Sequence, residues 1–264
     1  MIRGRPALAL RLASLLALAV ACATPRGAQQ GAPLAKSDPR PAVLLGGLAR
    51  EAEQRHALRG LAQLAIDGPA GSGRAKQVIV AERPARLRVE VLGVLDQTLA
   101  VLTTDGERYR LLRVPERAVD SGLVYPDLLR DVTGLAVTPE RAVEILLGVP
   151  LPPAGSHLEG AAELPDGALR IDVRGAESRE RLEFDADGRL RGWARLGADG
   201  APLAEARFDG YEPLGASVFA REIGLSDRTS GAQARLRFAS VELNPDLSPA
   251  LFDVPRGPEP REAR

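Results

Sequence analysis

Charged and apolar residues alternate with a period of two through much of the chain beyond residue 60, most clearly in Arg86-Leu87-Arg88-Val89-Glu90-Val91. A strand sends successive side chains to opposite faces, so such a segment buries one face and wets the other. The alternation returns in Leu169, Ile171 and Val173 against Arg170, Asp172 and Arg174, and again in Leu182 and Phe184 against Arg181 and Glu183. One-sided burial of this kind belongs to antiparallel sheets. Between the strands stand Asp105-Gly106, Asp187-Gly188 and Asp199-Gly200, dipeptides that tolerate the positive backbone angles of tight hairpins. The pattern predicts about eleven strands, near 61–67, 74–83, 86–92, 97–104, 107–114, 168–174, 179–185, 189–197, 202–208, 217–226 and 232–243.

Two regions depart from that period. Residues 43–58 place Leu44, Leu45, Leu48 and Ala52 at helical spacing among charged residues, predicting an amphipathic helix that ends at Gly60. From Pro115 to Pro153 the alternation stops, and Thr138-Pro139-Glu140 supplies a cap, a first-turn proline and a first-turn acid. A helix follows through Val143, Ile145 and Leu146 to Gly148, with a second short helical piece near Tyr125–Arg130. The expected fold class is mainly β (α+β). A curved antiparallel sheet forms an incomplete barrel, because a strongly twisted sheet of this size curls, and the helices pack on its concave side. Such a shape encloses an apolar cavity.

The N-terminus reads differently. Arg3, Arg5 and Arg11 precede an apolar run from Leu12 to Ala21, which is about half the length needed to span a bilayer and is followed at once by polar residues. Residues 1–21 are therefore a signal peptide. Ala19 and Ala21 suit ordinary signal peptidase, whereas Leu18-Ala19-Val20-Ala21-Cys22 resembles a lipobox, with Ala19 where Leu is usual. Cys22 is the only cysteine and cannot form an internal disulfide, so lipidation gives it a use. Acyl chains on Cys22, palmitate among them, would then hold the protein at a membrane. Residues 22–42 are expected to be the lipidated N-terminus and a flexible tether, residues 43–255 the folded domain, and residues 256–264 a disordered tail.

Charge excludes one class of partner. The 35 basic and 35 acidic residues balance, and acids lead by three once the signal peptide is removed, so no nucleic acid is expected. Only Lys36 and Lys76 are lysines, a compositional bias of a GC-rich genome. No cofactor motif is present: the glycines of 68–73 lack a following Gly-Lys-Ser/Thr, and His56 and His157 have neither a cysteine partner nor metal spacing. No Gly-x-Ser-x-Gly elbow occurs, although Ser156 beside His157 leaves a hydrolase open as a reading.

The order of elements over residues 43–245 resembles the LolA/LolB superfamily of periplasmic lipoprotein carriers and receptors. Asp131-Val132-Thr133-Gly134-Leu135 and Pro139-Glu140-Arg141-Ala142-Val143-Glu144-Ile145-Leu146-Leu147-Gly148-Val149-Pro150 are similar to the LolB threonine-glycine turn, apolar helix and closing glycine-apolar-proline. Leu92 to Thr98 is similar to its strand-loop-strand junction, and Trp193 with Phe208-Asp209-Gly210-Tyr211 to its later Trp and glycine-tyrosine pair. The ending, from Leu243-Asn244-Pro245 to Phe252-Asp253-Val254-Pro255, departs from LolB and is closer to functionally unassigned lipoproteins of the same fold.

The resemblance implies a non-enzymatic, outer-membrane lipoprotein that binds acyl chains and receives or inserts lipoproteins, with a soluble periplasmic carrier as partner. Ala23 after Cys22 agrees with release to the outer membrane under the enteric sorting rule. It also implies a role for Leu95 as a protruding membrane contact, the other reading being an ordinary hairpin leucine tucked under the sheet. Leu87, Val89, Val91, Leu99, Val101, Ile145 and Leu146 are the expected lipid-cavity residues, the other reading being plain core. Trp193 alternates with Arg191 and Arg195 and is expected on the charged outer face, stacked on those arginines. The rival function is a structural or sensory envelope lipoprotein that uses the same scaffold to bind a protein or polymer.

Overall fold

All three Asp-Gly pairs form the expected tight turns: Gly106, Gly188 and Gly200 adopt φ of 99°, 79° and 75°, which only glycine accepts without strain. The computed structural model describes residues 31–69 and 71–254, which build one antiparallel sheet of 14 strands and three α-helices. The chain runs through β1 (Ala32–Pro33), α1 (Arg40–Gln54), β2 (Ala57–Gly68), β3 (Gly71–Glu82), β4 (Arg86–Leu92), β5 (Thr98–Thr104), β6 (Arg108–Arg113) and β7 (Ala118–Leu123). After α2 (Leu128–Thr133) and α3 (Pro139–Leu146) come β8 (His157–Glu163), β9 (Leu169–Arg174), β10 (Arg179–Phe184), β11 (Leu190–Leu196), β12 (Pro202–Leu214), β13 (Ser217–Asp227) and β14 (Gln233–Leu243). Consecutive strands pair from β2 to β7 and from β8 to β14. The two runs are joined by β14 against β2, from Gln233↔Asp67 to Leu243↔Leu58.

The expected eleven strands are corrected to fourteen, and the additions lie at the margins of the sheet. The edge strand β7 reads Ala-Val-Asp-Ser-Gly-Leu, and no residue in it is buried. Strand β8 is likewise without a buried residue, because beyond it lies only the two-residue β1. Strands that bury neither face carry no alternation to detect. The first strand also corrects the expected tether. Residues 31–39 belong to the described fold, since Ala32 and Pro33 pair with Glu163 and Ala162, the Leu34 amide donates to the Ala161 carbonyl at 2.9 Å, and α1 starts at Arg40. Main-chain pairing at an edge needs no apolar period, and an edge admits proline. Residues 1–30, with the signal peptide, Cys22 and most of the tether, lie outside the described residues, as do residues 255–264 with the expected tail.

The inner faces of both strand runs meet in one core that includes Leu58, Ala62, Ile79, Phe208, Phe219 and Phe238. Phe219 and Phe238 meet edge-on at 5.7 Å, and Gly60 makes that possible: a Cβ there would lie 2.8 Å from the Phe238 ring. The helices were expected together on the concave side, but they divide. Helix α1 closes one end of the sheet, where Leu44 approaches Gly188, and Arg83 Nη1 donates to the Ala52 carbonyl at 2.9 Å. The buried Arg55 that follows it donates to the carbonyls of Leu147 and Val218. Helices α2 and α3 lie on the concave face instead, with α3 against β3 and β4.

Candidate functional site: an unfilled apolar cavity

Strand register decides what the concave face displays. Ile79, Val89, Leu102 and Leu111 form one cross-strand row through β3, β4, β5 and β6. Every side chain in that row is apolar, and α2 and α3 cover it without filling the space. An unfilled cavity of about 670 Å³ remains, closed on the other side by β13, β14 and β2 through Ile223, Leu225, Leu236 and Leu64. That size lies within the roughly 300–1,000 Å³ of ligand-binding pockets. Protein interiors are otherwise close-packed, so this much unfilled apolar space calls for an occupant.

Leu87, Val89, Val91, Ile145 and Leu146 line the cavity. Leu99 and Val101 do not, and here the expectation is corrected. Val91 pairs with Ala100 and Leu92 with Thr98, so Leu99 is the extra residue of a bulge. Val101 pairs with Glu90 and Leu112, whose side chains share the opposite face of the sheet, and Ala100 and Leu102 take the inward places. The sequence run Thr98 to Thr104 is apolar on both faces and gave no sign of its bulge. Leu64 and Leu111 were missed although both sit in strands whose alternation was visible.

The hairpin tips at 93–97 and 114–117 follow directly after the cavity-lining Val91 and Arg113, so they surround one end of it. There Val94 is 99 % exposed and Leu95 87 % exposed, which removes the reading of Leu95 as a leucine tucked under the sheet. Asp96, with φ of 58°, turns the tip and is tied to Lys76 at 2.6 Å.

The helical wall is held by polar contacts. Thr138 caps α3 by accepting from the Arg141 amide. Arg141 donates to the Leu151 carbonyl at 2.7 Å and to Glu180 Oε1 at 2.9 Å, pairs with Glu144 at 2.7 Å, and lies 5.1 Å above the Trp193 ring. Trp193 Nε1 donates to Glu180 Oε2 at 2.9 Å. Burial pushes the Glu180 carboxyl above its ordinary range, opposed by Arg141 and the indole N–H; burial likewise raises Glu144, against Arg141 and Arg83. Trp193 is therefore an inward residue, only 3 % exposed, and not the outer-face residue expected. The physical reason is twofold: a bulge at Arg191, where Glu183 pairs with Gly192 and Phe184 with Leu190, separates that residue from Trp193, and Arg195 shares the inner face with Trp193 and donates to the Ala136 carbonyl. The cation over Trp193 is Arg141 from α3, not a neighbour on its own strand.

The α2–α3 connection hangs on the buried Asp227, which accepts from the amides of Ala136, Thr229 and Ser230 at 2.7–3.0 Å. Burial raises its carboxyl, but those three amides outweigh burial and hold it below the ordinary range. A depressed folded value contributes stability above the ordinary value of 3.8, and this stability is lost as pH falls through the folded value. Asp227→Ala would strand three donors, and thermal melts at pH 7 should show a loss of about 2–3 kcal/mol. An unchanged Tm would contradict this account of the wall.

Polar groups at the helical side are mostly satisfied. Tyr125 donates to Asp131 at 2.9 Å, and that bond, with burial, pushes its phenol up to about 12. Tyr109 meets Tyr125 edge-on at 6.0 Å, and its own hydroxyl is raised by burial and then by Asp120. His56 and His157 are both exposed. Among the described residues no group of three or more His, Cys, Asp or Glu side chains could hold a metal, and no helix is long and apolar enough to cross a membrane.

No family model and no curated protein matches the chain by sequence. Solved structures do match it. A LolA superfamily protein from Nitrosomonas europaea superposes with a TM-score of 0.55 at 10 % identity, over 80 % of this chain and 97 % of that one. A putative outer membrane lipoprotein-sorting protein domain from Vibrio parahaemolyticus gives 0.56 at 10 % identity, over 78 % and 95 %. A DUF1329 family protein from Desulfovibrio piger gives 0.54 at 10 % identity, over 82 % and 98 %. With an open antiparallel sheet, two helices on its concave face and this agreement across nearly the whole of each neighbour, the chain has the fold of the LolA superfamily.

Proposed function

We propose that the protein is a non-enzymatic envelope lipoprotein that binds acyl chains in the cavity between the sheet and helices α2 and α3. The observation that carries this reading is about 670 Å³ of unfilled space with a mainly apolar wall. Each methylene moved from water into such a space contributes about 0.8 kcal/mol, so a long chain binds by the hydrophobic effect alone and no covalent chemistry is needed. Mass spectrometry of the protein purified from residue 23 onward, without its lipid anchor, tests this. Copurified acyl lipid is the expected result, and a protein free of lipid that also takes up none on incubation would sink the reading.

The finer role follows the same logic. Lipidated at Cys22 and held at the outer membrane, the protein receives acyl cargo from a soluble periplasmic carrier and delivers it to the membrane. Support comes from the sorting-domain neighbour and from the exposed Val94 and Leu95 beside the cavity. Burying an apolar side chain of this size contributes about 1.5–3 kcal/mol. Val94→Ser with Leu95→Glu is therefore expected to weaken cosedimentation of the unlipidated protein with phosphatidylethanolamine–phosphatidylglycerol vesicles by at least about tenfold. Equal binding by the variant would remove the loop from the membrane contact.

A further inference from the structure

One part of the cavity wall does not suit a purely apolar guest. A second cross-strand row, next to Ile79–Val89–Leu102–Leu111 and nearer the 93–97 tip, reads Gln77, Val91, Ala100 and Arg113. All four line the cavity. Gln77 is 8 % exposed, and among the described residues its side-chain amide has no hydrogen-bond partner. Its amide therefore remains open to a partner inside the cavity. Arg113 stands at the other end of the row and is exposed. It has no ion-pair or hydrogen-bond partner among the described residues. Of the carboxylates on the wall, Asp131 is held by the Tyr125 hydroxyl, and Asp120 stands beside Leu111, one row away from Arg113. Ala100, between Val91 and Arg113, leaves room above the sheet for a headgroup.

We infer that the cavity is built for an acidic amphiphile, one acyl chain ending in a carboxylate or phosphate. The chain lies along the apolar row, and the acidic headgroup lies at the mouth, within reach of the Gln77 amide and the Arg113 guanidinium. A charged acceptor there gives the Gln77 amide and the unpaired Arg113 guanidinium charge-assisted hydrogen bonds. The inference rests on the acyl-chain reading, but it concerns the headgroup alone.

The test is a competition titration of the protein from residue 23 onward with three probes of equal chain length: hexadecanoate, hexadecyl phosphate and hexadecanol. At least one acidic probe should bind tenfold or more tightly than the alcohol, and the two acids together show whether carboxylate or phosphate is preferred. In the Arg113→Gln variant that preference should fall below threefold while affinity for hexadecanol stays unchanged. Gln77→Leu should reduce the preference in the same direction. Binding of all three probes with equal affinity would overturn the headgroup inference and leave acyl binding standing. Binding of none would overturn the acyl reading itself.

Discussion

Replacing Val89 with tryptophan is expected to lower affinity for hexadecanoate at least about tenfold while leaving Tm unchanged or slightly raised. Val89 lies on β4 on the inner face, and α3 packs over that strand with Leu146 on the same cavity wall. An indole there projects into the space between strand and helix, where an acyl chain must pass. The two possible interiors give opposite stability signs. In a filled core the added volume would cost about 1–3 kcal/mol, and at about 2–4 °C per kcal/mol for a domain of this size Tm would fall by several degrees. In an unfilled cavity the ring meets empty space and gains contacts. Titration and thermal melts of the same variant therefore report binding and packing together; a lowered Tm with unaltered affinity would contradict the cavity.

The largest stability effect is expected at Arg141. Its guanidinium joins α3 to β10 through Glu180, which is 3 % exposed, and also satisfies the Leu151 carbonyl. Arg141→Ala leaves Glu180 buried with only the Trp193 indole as partner, and breaking a buried pair in this way costs about 3–5 kcal/mol. Adding Glu180→Gln removes the stranded charge and should regain a substantial part of that loss. The pH dependence has a definite sign. Burial raises the folded-state value of Glu180, so folding favours its protonated form, and the group's contribution falls as pH rises from the ordinary value of 4.5 through the raised value. Loss of Arg141 removes the main opposing charge and raises that value further. The deficit of Arg141→Ala, read from denaturant midpoints, should therefore shrink on acidification from pH 7 toward pH 5. A deficit independent of pH would assign Arg141 a packing role only.

Much of this architecture was legible because burial imprints a period. Strands β9 and β10 bury alternate residues in step with their sequence, and the Thr138-Pro139-Glu140 start of α3 forms as its chemistry requires. What escaped was placed by main-chain pairing or by bulges, neither of which writes a side-chain pattern. Strand β1 is held by two residue pairs and one further amide, and the bulges at Leu99 and Arg191 each reverse the facing of their neighbours. Hence Leu99 and Val101 were misplaced on the cavity wall, and Trp193 on the outer surface. The cavity itself was beyond sequence, because Val89 in a filled core and Val89 beside empty space have the same neighbours in the chain. The row from Gln77 to Arg113 escaped for a related reason, since four separate strands must align before its polar ends share one surface.

The central claim is that an acyl chain occupies the space between β4 and α3, and the most direct measurement is anomalous diffraction from crystals of the protein grown with hexadecanoate brominated at mid-chain. A bromine peak within the cavity, in contact with Val89, Leu102 or Leu146, is the predicted result. A peak confined to the outer surface, with the cavity containing only solvent, would contradict it.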